Sequence, residues 1–205
     1  MQRDEINKPA GHENNDSIGD AYCFVAIERH SKLILAWHLG RRTARDTLEF
    51  IERLREATEG QFQLTTDGFN AYPDAVSYSL GMRVDFAQLV KVYAASREGE
   101  QRYSPAEVVN AVQIPRIGTP DFKRICTSHI ERQNLTMRMQ IRRLTRLTNG
   151  FSKKWSNLRA MLALYFGWYN FCRVHRTLRV TPAMEARVTD HVWTLAELLS
   201  EGAKA

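Results

Sequence analysis

The chain has 205 residues, 43% hydrophobic and 25% charged, with a formal charge of +6 and a sequence pI of about 9.4. That is the composition of a soluble globular protein with one domain-sized core and room for a small appendage, and the positive excess favours an anionic partner. The stretch 1–16 has no apolar run of the signal-peptide kind, and the longest strongly apolar run, 161–169, is too short to span a membrane, so a cytoplasmic protein without a membrane partner is expected.

Cys23, Cys126 and Cys172 are far apart, odd in number and without C-x-x-C spacing, so reduced, buried thiols are expected rather than a zinc site. No internal repeat is visible. The charge is unevenly spread: residues 123–179 hold thirteen Lys or Arg against one acid, Glu131, which leaves the rest of the chain net acidic. Such a block is often a solvated face, but here it is interleaved with Trp155, Tyr165, Trp168 and Tyr169, which points to nucleic acid.

In chain order, residues 1–6 allow at most a short strand, with Ile6 as the only aliphatic residue before Ala10. Residues 8–19 are polar, with Pro9, Gly11 and Gly19, and read as a loop. Residues 22–27 and 33–39 predict two strands joined by the polar turn 28–32, hence a hairpin. Thr43 can cap a helix to about Thr58 with Leu48, Ile51 and Leu54 inward and Gly60 ending it. A short strand at 62–66 stops at Asp67-Gly68, a helix follows over 71–80 closed by Gly81, and 84–93 predicts another strand. Residues 94–126, punctuated by Ser104-Pro105, Ile114-Pro115 and Thr119-Pro120, read as a long functional or mobile connection. Helices are predicted over 128–147 and 152–172, the second aromatic and core-forming, then a short helix from Thr181-Pro182 and a last one near 193–199. The order predicts an α/β or α+β layer arrangement, a mixed sheet flanked by helices.

The 128–147 stretch carries two stripes. Ile130, Met137, Ile141, Leu144 and Leu147 form an apolar seam, and Glu131, Arg138, Arg142 and Arg146 lie beside it. Asp4 on the first candidate strand, Asp67 at a strand end and Glu131 in a first helical turn are carboxylates that can converge at the edge of such a sheet. Clustered acids tolerate one another with cations between them, and oxygen ligands suit Mg²⁺ or Mn²⁺. Two such metals about 4 Å apart activate an attacking oxygen and stabilise the leaving oxygen in phosphodiester displacement. The plain readings are a capping box for Ser128 and Glu131, a turn pair for Asp67-Gly68, and a terminal tail for Asp4, with Asp20 as its alternative. His129 and His175 read as structural or DNA-contacting rather than metal-binding.

Five motifs then carry a likeness. Gln2-Arg3-Asp4-Glu5-Ile6, Leu64-Thr65-Thr66-Asp67-Gly68, Ile130-Glu131-Arg132-Gln133-Asn134, Tyr169-Asn170-Phe171-Cys172-Arg173-Val174-His175-Arg176-Thr177-Leu178 and Thr181-Pro182-Ala183 resemble the DDE transposases of bacterial insertion sequences, in particular the IS1-like group, over residues 2–199. The resemblance implies a ribonuclease H-like fold, shared with retroviral integrases, with a catalytic domain over 1–180 and a helical tail over 181–205. It implies Asp4, Asp67 and Glu131 as the catalytic metal ligands, Mg²⁺ or Mn²⁺ as cofactor, and a basic residue seven positions after the Glu, where Arg138 stands. The implied activity is hydrolysis at transposon ends and attack of the freed 3′-OH on target DNA, in a homo-oligomer, at the bacterial nucleoid. Expected DNA contacts are Arg138, Arg142, Arg146, Lys153 and Lys154. Only residues 1–3 precede Asp4, where the family usually carries a DNA-binding region, and Asn7-Lys8-Pro9 cuts short the strand expected to hold it, so a missing N-terminal region is expected. Two other readings stay open: an inactive DNA-binding remnant of a transposase, and a metal-dependent nuclease of the same fold.

Overall fold

The structure is a computed structural model, and it describes residues 21–93, 108–144, 150, 152 and 154–203. In chain order its elements are β1 (Tyr22–Ile27), β2 (Ile34–Gly40), α1 (Ala44–Glu56), β3 (Phe62–Asp67), α2 (Tyr72–Ser79), β4 (Val84–Tyr93), β5 (Val108–Ile117), α3 (Ser128–Gln140), α4 (Trp155–Gly167), α5 (Pro182–Glu185) and α6 (Leu195–Gly202). The architecture is mixed α/β. The chain divides into two compact units, Thr43–Ser128 (the central unit) and Met1–Arg42 with His129–Ala205 (the hairpin–helix unit).

In the central unit, Thr43 caps α1 by accepting from the Asp46 N–H at 3.2 Å, as its sequence position predicts. The face of α1 that turns inward is Thr47, Phe50, Ile51 and Leu54; Leu48, expected there, is half-buried. The helix ends at Ala57, three residues short of Gly60, which takes a positive φ in the turn beyond. α1 packs against α2, and Pro73 stands in the first turn of α2, where a missing N–H costs nothing. β3 and β4 pair in parallel with Phe62 opposite Val84 and Asp67 opposite Leu89, so β3–α2–β4 is a crossover unit.

β4 then pairs antiparallel with β5, which completes a mixed sheet in the order β3-β4-β5. This strand corrects the expectation of one long loop over 94–126; residues 94–107 of that stretch lie outside the described residues. Its Pro115 argued against a strand, but β5 ends the described sheet order, and on such a strand a missing N–H can face outward. Beside Pro115 the register slips: Phe86 faces Ile117 while Ala87 faces Pro115, so Arg116 is an extra residue in a bulge.

In the hairpin–helix unit, β1 and β2 form the expected antiparallel hairpin. A core of Ile34, Leu39, Met137, Ile141, Leu158, Leu162, Tyr165, Phe166 and Tyr169 joins β2 to α3 and α4. The aromatic helix is core, as expected. Its last turn, Trp168–Cys172, widens to π geometry, which puts Tyr169 and Asn170 inside. α5 and α6 pack on that turn. Both are capped by threonines, Thr181 and Thr194.

The basic helix is shorter than expected. α3 ends at Gln140, a 3-10 turn follows at Arg142–Leu144, and residues 145–149 lie outside the described residues. Continuing the helix would stack Arg138, Arg142 and Arg146 at four-residue spacing, where like charges repel. Of the expected apolar seam, Met137 and Ile141 are buried, Ile130 and Leu144 half-buried, and Leu147 is not described.

Candidate functional site

Asp67 is the last residue of β3, at the carboxyl end of the parallel pair, where α/β sheets place their reactive groups. Its carboxylate is exposed. Oδ1 accepts from the Phe69 N–H at 3.1 Å, which closes an Asx turn, and Oδ2 makes no hydrogen bond among the described residues. Gly68 packs closely here: a Cβ would lie 3.0 Å from a Val90 methyl, so Val90 would have to give way by a few tenths of an ångström.

Behind the turn stands Gln88 of β4, only 1% exposed. Its Nε2 donates to the carbonyls of Asp67 (3.0 Å) and Phe69 (3.2 Å), and its Oε1 accepts from Arg116 Nε at 2.9 Å. The bulge beside Pro115 is what releases Arg116 from the ladder to make that contact. So the shape of the turn that presents Asp67 is set by two side chains on neighbouring strands. Neither was singled out in the sequence. The signals present were a lone amide in the apolar run Phe86-Ala87-Gln88-Leu89-Val90, and Pro115-Arg116 inside a strand-like stretch.

Glu131 is exposed in the first turn of α3, where the helix dipole favours a carboxylate. It is not part of a capping box with Ser128. The helix begins at Ser128, so that residue is the first helical position and not the cap, and its hydroxyl donates to Cys126 Sγ. A capping box stands at α6, where Thr194 and Glu197 satisfy each other's backbone N–H groups at 3.2 and 2.7 Å.

Asp67 belongs to the central unit, Glu131 to the hairpin–helix unit, and Asp4 lies outside the described residues. Among the described residues no three His, Cys, Asp or Glu side chains form a group able to hold a metal ion. Asp67 nonetheless has the donor chemistry a hard divalent cation takes: an exposed carboxylate with one oxygen fixed by the backbone and the other open.

Of the expected DNA contacts, Arg138 is half-buried on α3, Arg142 is exposed in the 3-10 turn, and Lys154 is exposed just before α4. Arg146 and Lys153 lie outside the described residues.

The 169–178 motif is a structural lock. Asn170, 9% exposed, pairs with the backbone of one residue of β2: its Oδ1 accepts from the Ile34 N–H and its Nδ2 donates to the Ile34 carbonyl, both at 3.0 Å. Arg173 lies over the rings of Trp168 and Tyr169, 5.8 and 5.6 Å from their centroids, and donates to Gln140 Oε1, which also accepts from the Tyr165 hydroxyl at 2.9 Å. Burial pushes the Tyr165 phenol up to about 12, so it remains a donor. Burial, then the positive charges of Lys32 and Arg173, hold His175 below its usual value; burial, then Arg29 and Lys32, do the same for His129. Both rings are thereby biased towards the neutral form at pH 7.

Cys23, Cys126 and Cys172 are free, as expected, but half-buried rather than buried. Burial raises the Cys23 thiol to about 12, so it is not a nucleophile at neutral pH. No described helix is long and apolar enough to cross a membrane. No protein-family model, curated protein or solved structure matches this chain.

Proposed function

We propose that this chain is the catalytic domain of a DDE-type transposase with a ribonuclease H-like fold. In this reading Asp67 and Glu131, together with Asp4, hold Mg²⁺ or Mn²⁺, and the chain cleaves DNA at transposon ends and joins the 3′ ends to target DNA. The bound metal supplies the polarisation of the phosphodiester and the activation of the attacking oxygen. The chain's own contribution is orientation. The Gln88–Arg116 brace holds the Asp67 turn, and Arg138, two turns along α3 from Glu131, falls on the same helical face to meet a phosphate. The protein would act in the cytoplasm at the nucleoid, as a homo-oligomer on paired DNA ends.

The observation that carries this reading is Asp67 itself, an open carboxylate at the carboxyl end of a parallel strand, on a turn braced by buried polar contacts. The motifs shared with DDE transposases and the thirteen basic groups around Glu131 support it. The test is a strand-transfer assay on transposon-end DNA with Mn²⁺ or Mg²⁺. Strand joining by the wild type, and its loss by more than about a hundredfold in Glu131→Gln and Asp67→Asn with DNA affinity retained, is the expected result; loss of mere support to a metal ligand already costs 10–100-fold. Nicking without joining would identify a nuclease of the same fold, and binding without chemistry a DNA-binding remnant. Unchanged activity in Glu131→Gln removes that residue from the mechanism.

A further inference from the structure

Two turns of the hairpin–helix unit are tied together by a single hydrogen bond. One is the β1–β2 turn, which carries Arg29, His30 and Lys32. The other is the loop 175–180, closed on itself by the His175 N–H to the Val180 carbonyl and by the Leu178 and Arg179 N–H groups to the His175 carbonyl. It carries Arg176 and Arg179. Lys32 takes a positive φ of 61°, a conformation that would suit glycine better, and its Nζ donates to Thr177 Oγ1 at 2.8 Å; that hydroxyl lies 3.1 Å from His175 Nδ1.

The acid in the first turn, Glu28, forms no ion pair with these groups among the described residues. Glu28 folds back, accepting from the N–H groups of His30 and Ser31 and from the Ser31 hydroxyl. Burial works against its charged form, but those hydrogen bonds outweigh it and keep the carboxyl below its usual value. Arg29, Lys32, Arg176 and Arg179 make no ion pair among the described residues. Like charges gathered this way repel unless an anion lies between them.

We propose that the β1–β2 turn and the 175–180 loop form a phosphate-contacting surface for nucleic acid, with Arg29, Lys32 and Arg176 taking backbone phosphates in addition to the arginines of α3. The inference rests on the DNA partner of the proposed function and deepens it. Guanidinium forks and an ammonium held beside a threonine hydroxyl suit phosphodiester oxygens. An anionic membrane surface is the weaker match, because no large apolar side chain within 28–32 or 175–180 is exposed for insertion. The positive field reaches inward as well: after burial, Lys32 and Arg173 are what lower His175.

The experiment is fluorescence anisotropy of the full chain with a short random-sequence duplex over a salt series. The proteins compared are the wild type, Arg29→Gln with Arg176→Gln, and Arg138→Gln with Arg142→Gln. Flotation with vesicles of neutral and anionic phospholipid runs in parallel. Both turn arginines are exposed, so circular dichroism should be unchanged, and Arg29→Lys with Arg176→Lys serves as the conservative control. The turn pair should bind about tenfold more weakly at intermediate salt. Its slope of log K on log salt should fall by about 2, since each neutralised phosphate contributes about one unit, and the lysine control should largely restore both. Wild-type affinity and slope in the turn pair, while the Arg138 and Arg142 variant is weakened in both, overturns this surface and leaves the DNA reading intact. A wild type that binds no duplex defeats the proposed function itself. Loss of vesicle binding alone in the turn pair overturns the proposal in favour of a membrane surface.

Discussion

The Asp67 turn and the Asn170 turn read alike in the sequence, each a short motif built round a polar side chain, and they are physically opposite. At Asp67 the distinctive side chain faces outward and the residues that hold it, Gln88 and Arg116, are supplied from β4 and β5. At Asn170 the distinctive side chain is itself the buried part, spent on the backbone of Ile34 in β2. A polar motif residue can therefore stand open to solvent or be spent on assembly, and burial separates the two cases. The same contrast recurs at helix starts. Ser128 to Glu131 and Thr194 to Glu197 share one pattern, yet only the second is a capping box, because only there does the hydroxyl residue precede the helix.

The largest expected effect comes from the buried member of the pair. Asn170→Leu keeps approximate size but strands the N–H and carbonyl of Ile34, each worth about 1–3 kcal/mol when left unsatisfied. We expect a destabilisation of about 3 kcal/mol in urea unfolding. A change under about 1 kcal/mol would break the comparison and free Asn170 for another role. Gln88→Leu should cost less, about 2 kcal/mol, since Arg116 is exposed and can turn to water. Its sharper signature is local: hydrogen exchange at the Phe69 amide should quicken as the turn around Asp67 loosens. Unchanged exchange there would mean that the turn is held by its Asx hydrogen bond alone.

Thr194→Ala sharpens the second contrast, with an expected cost of about 1 kcal/mol and fraying of α6, whereas Ser128→Ala should cost little. The α6 cap also carries a pH dependence. The hydrogen bond that His191 donates to Asp190 raises His191, with Glu197 adding to it, and the same bond lowers Asp190. His191, raised, contributes stability that is full below its unfolded pKa and is lost as pH rises through its folded one. Asp190, lowered, contributes above its unfolded pKa and loses it as pH falls through its folded one. A proton NMR titration of His191 should move down towards the ordinary histidine value in Asp190→Asn; no movement would remove the pair from the account.

Much of the chain was legible residue by residue. Thr43, Thr181 and the Asp67-Gly68 turn act through atoms a few positions away, and the hairpin pattern of 22–39 is set by alternation and a polar turn. The aromatic run of 155–172 reads as core rather than as a base-stacking platform, and Tyr165, Phe166 and Tyr169 are buried there. By itself, then, the sequence determined where the chain bends, where it starts a helix and which faces are apolar.

The tertiary structure decided what depends on partners far along the chain. β5 is a strand because β4 offers it a ladder, despite a proline and a polar surround that locally read as loop. Arg116 reaches Gln88 because that ladder slips by one residue, and Asn170 finds Ile34 across 136 positions. Hydrogen bonds of that kind leave almost no mark in local composition, since any amide can make them and only the folded geometry selects which one does.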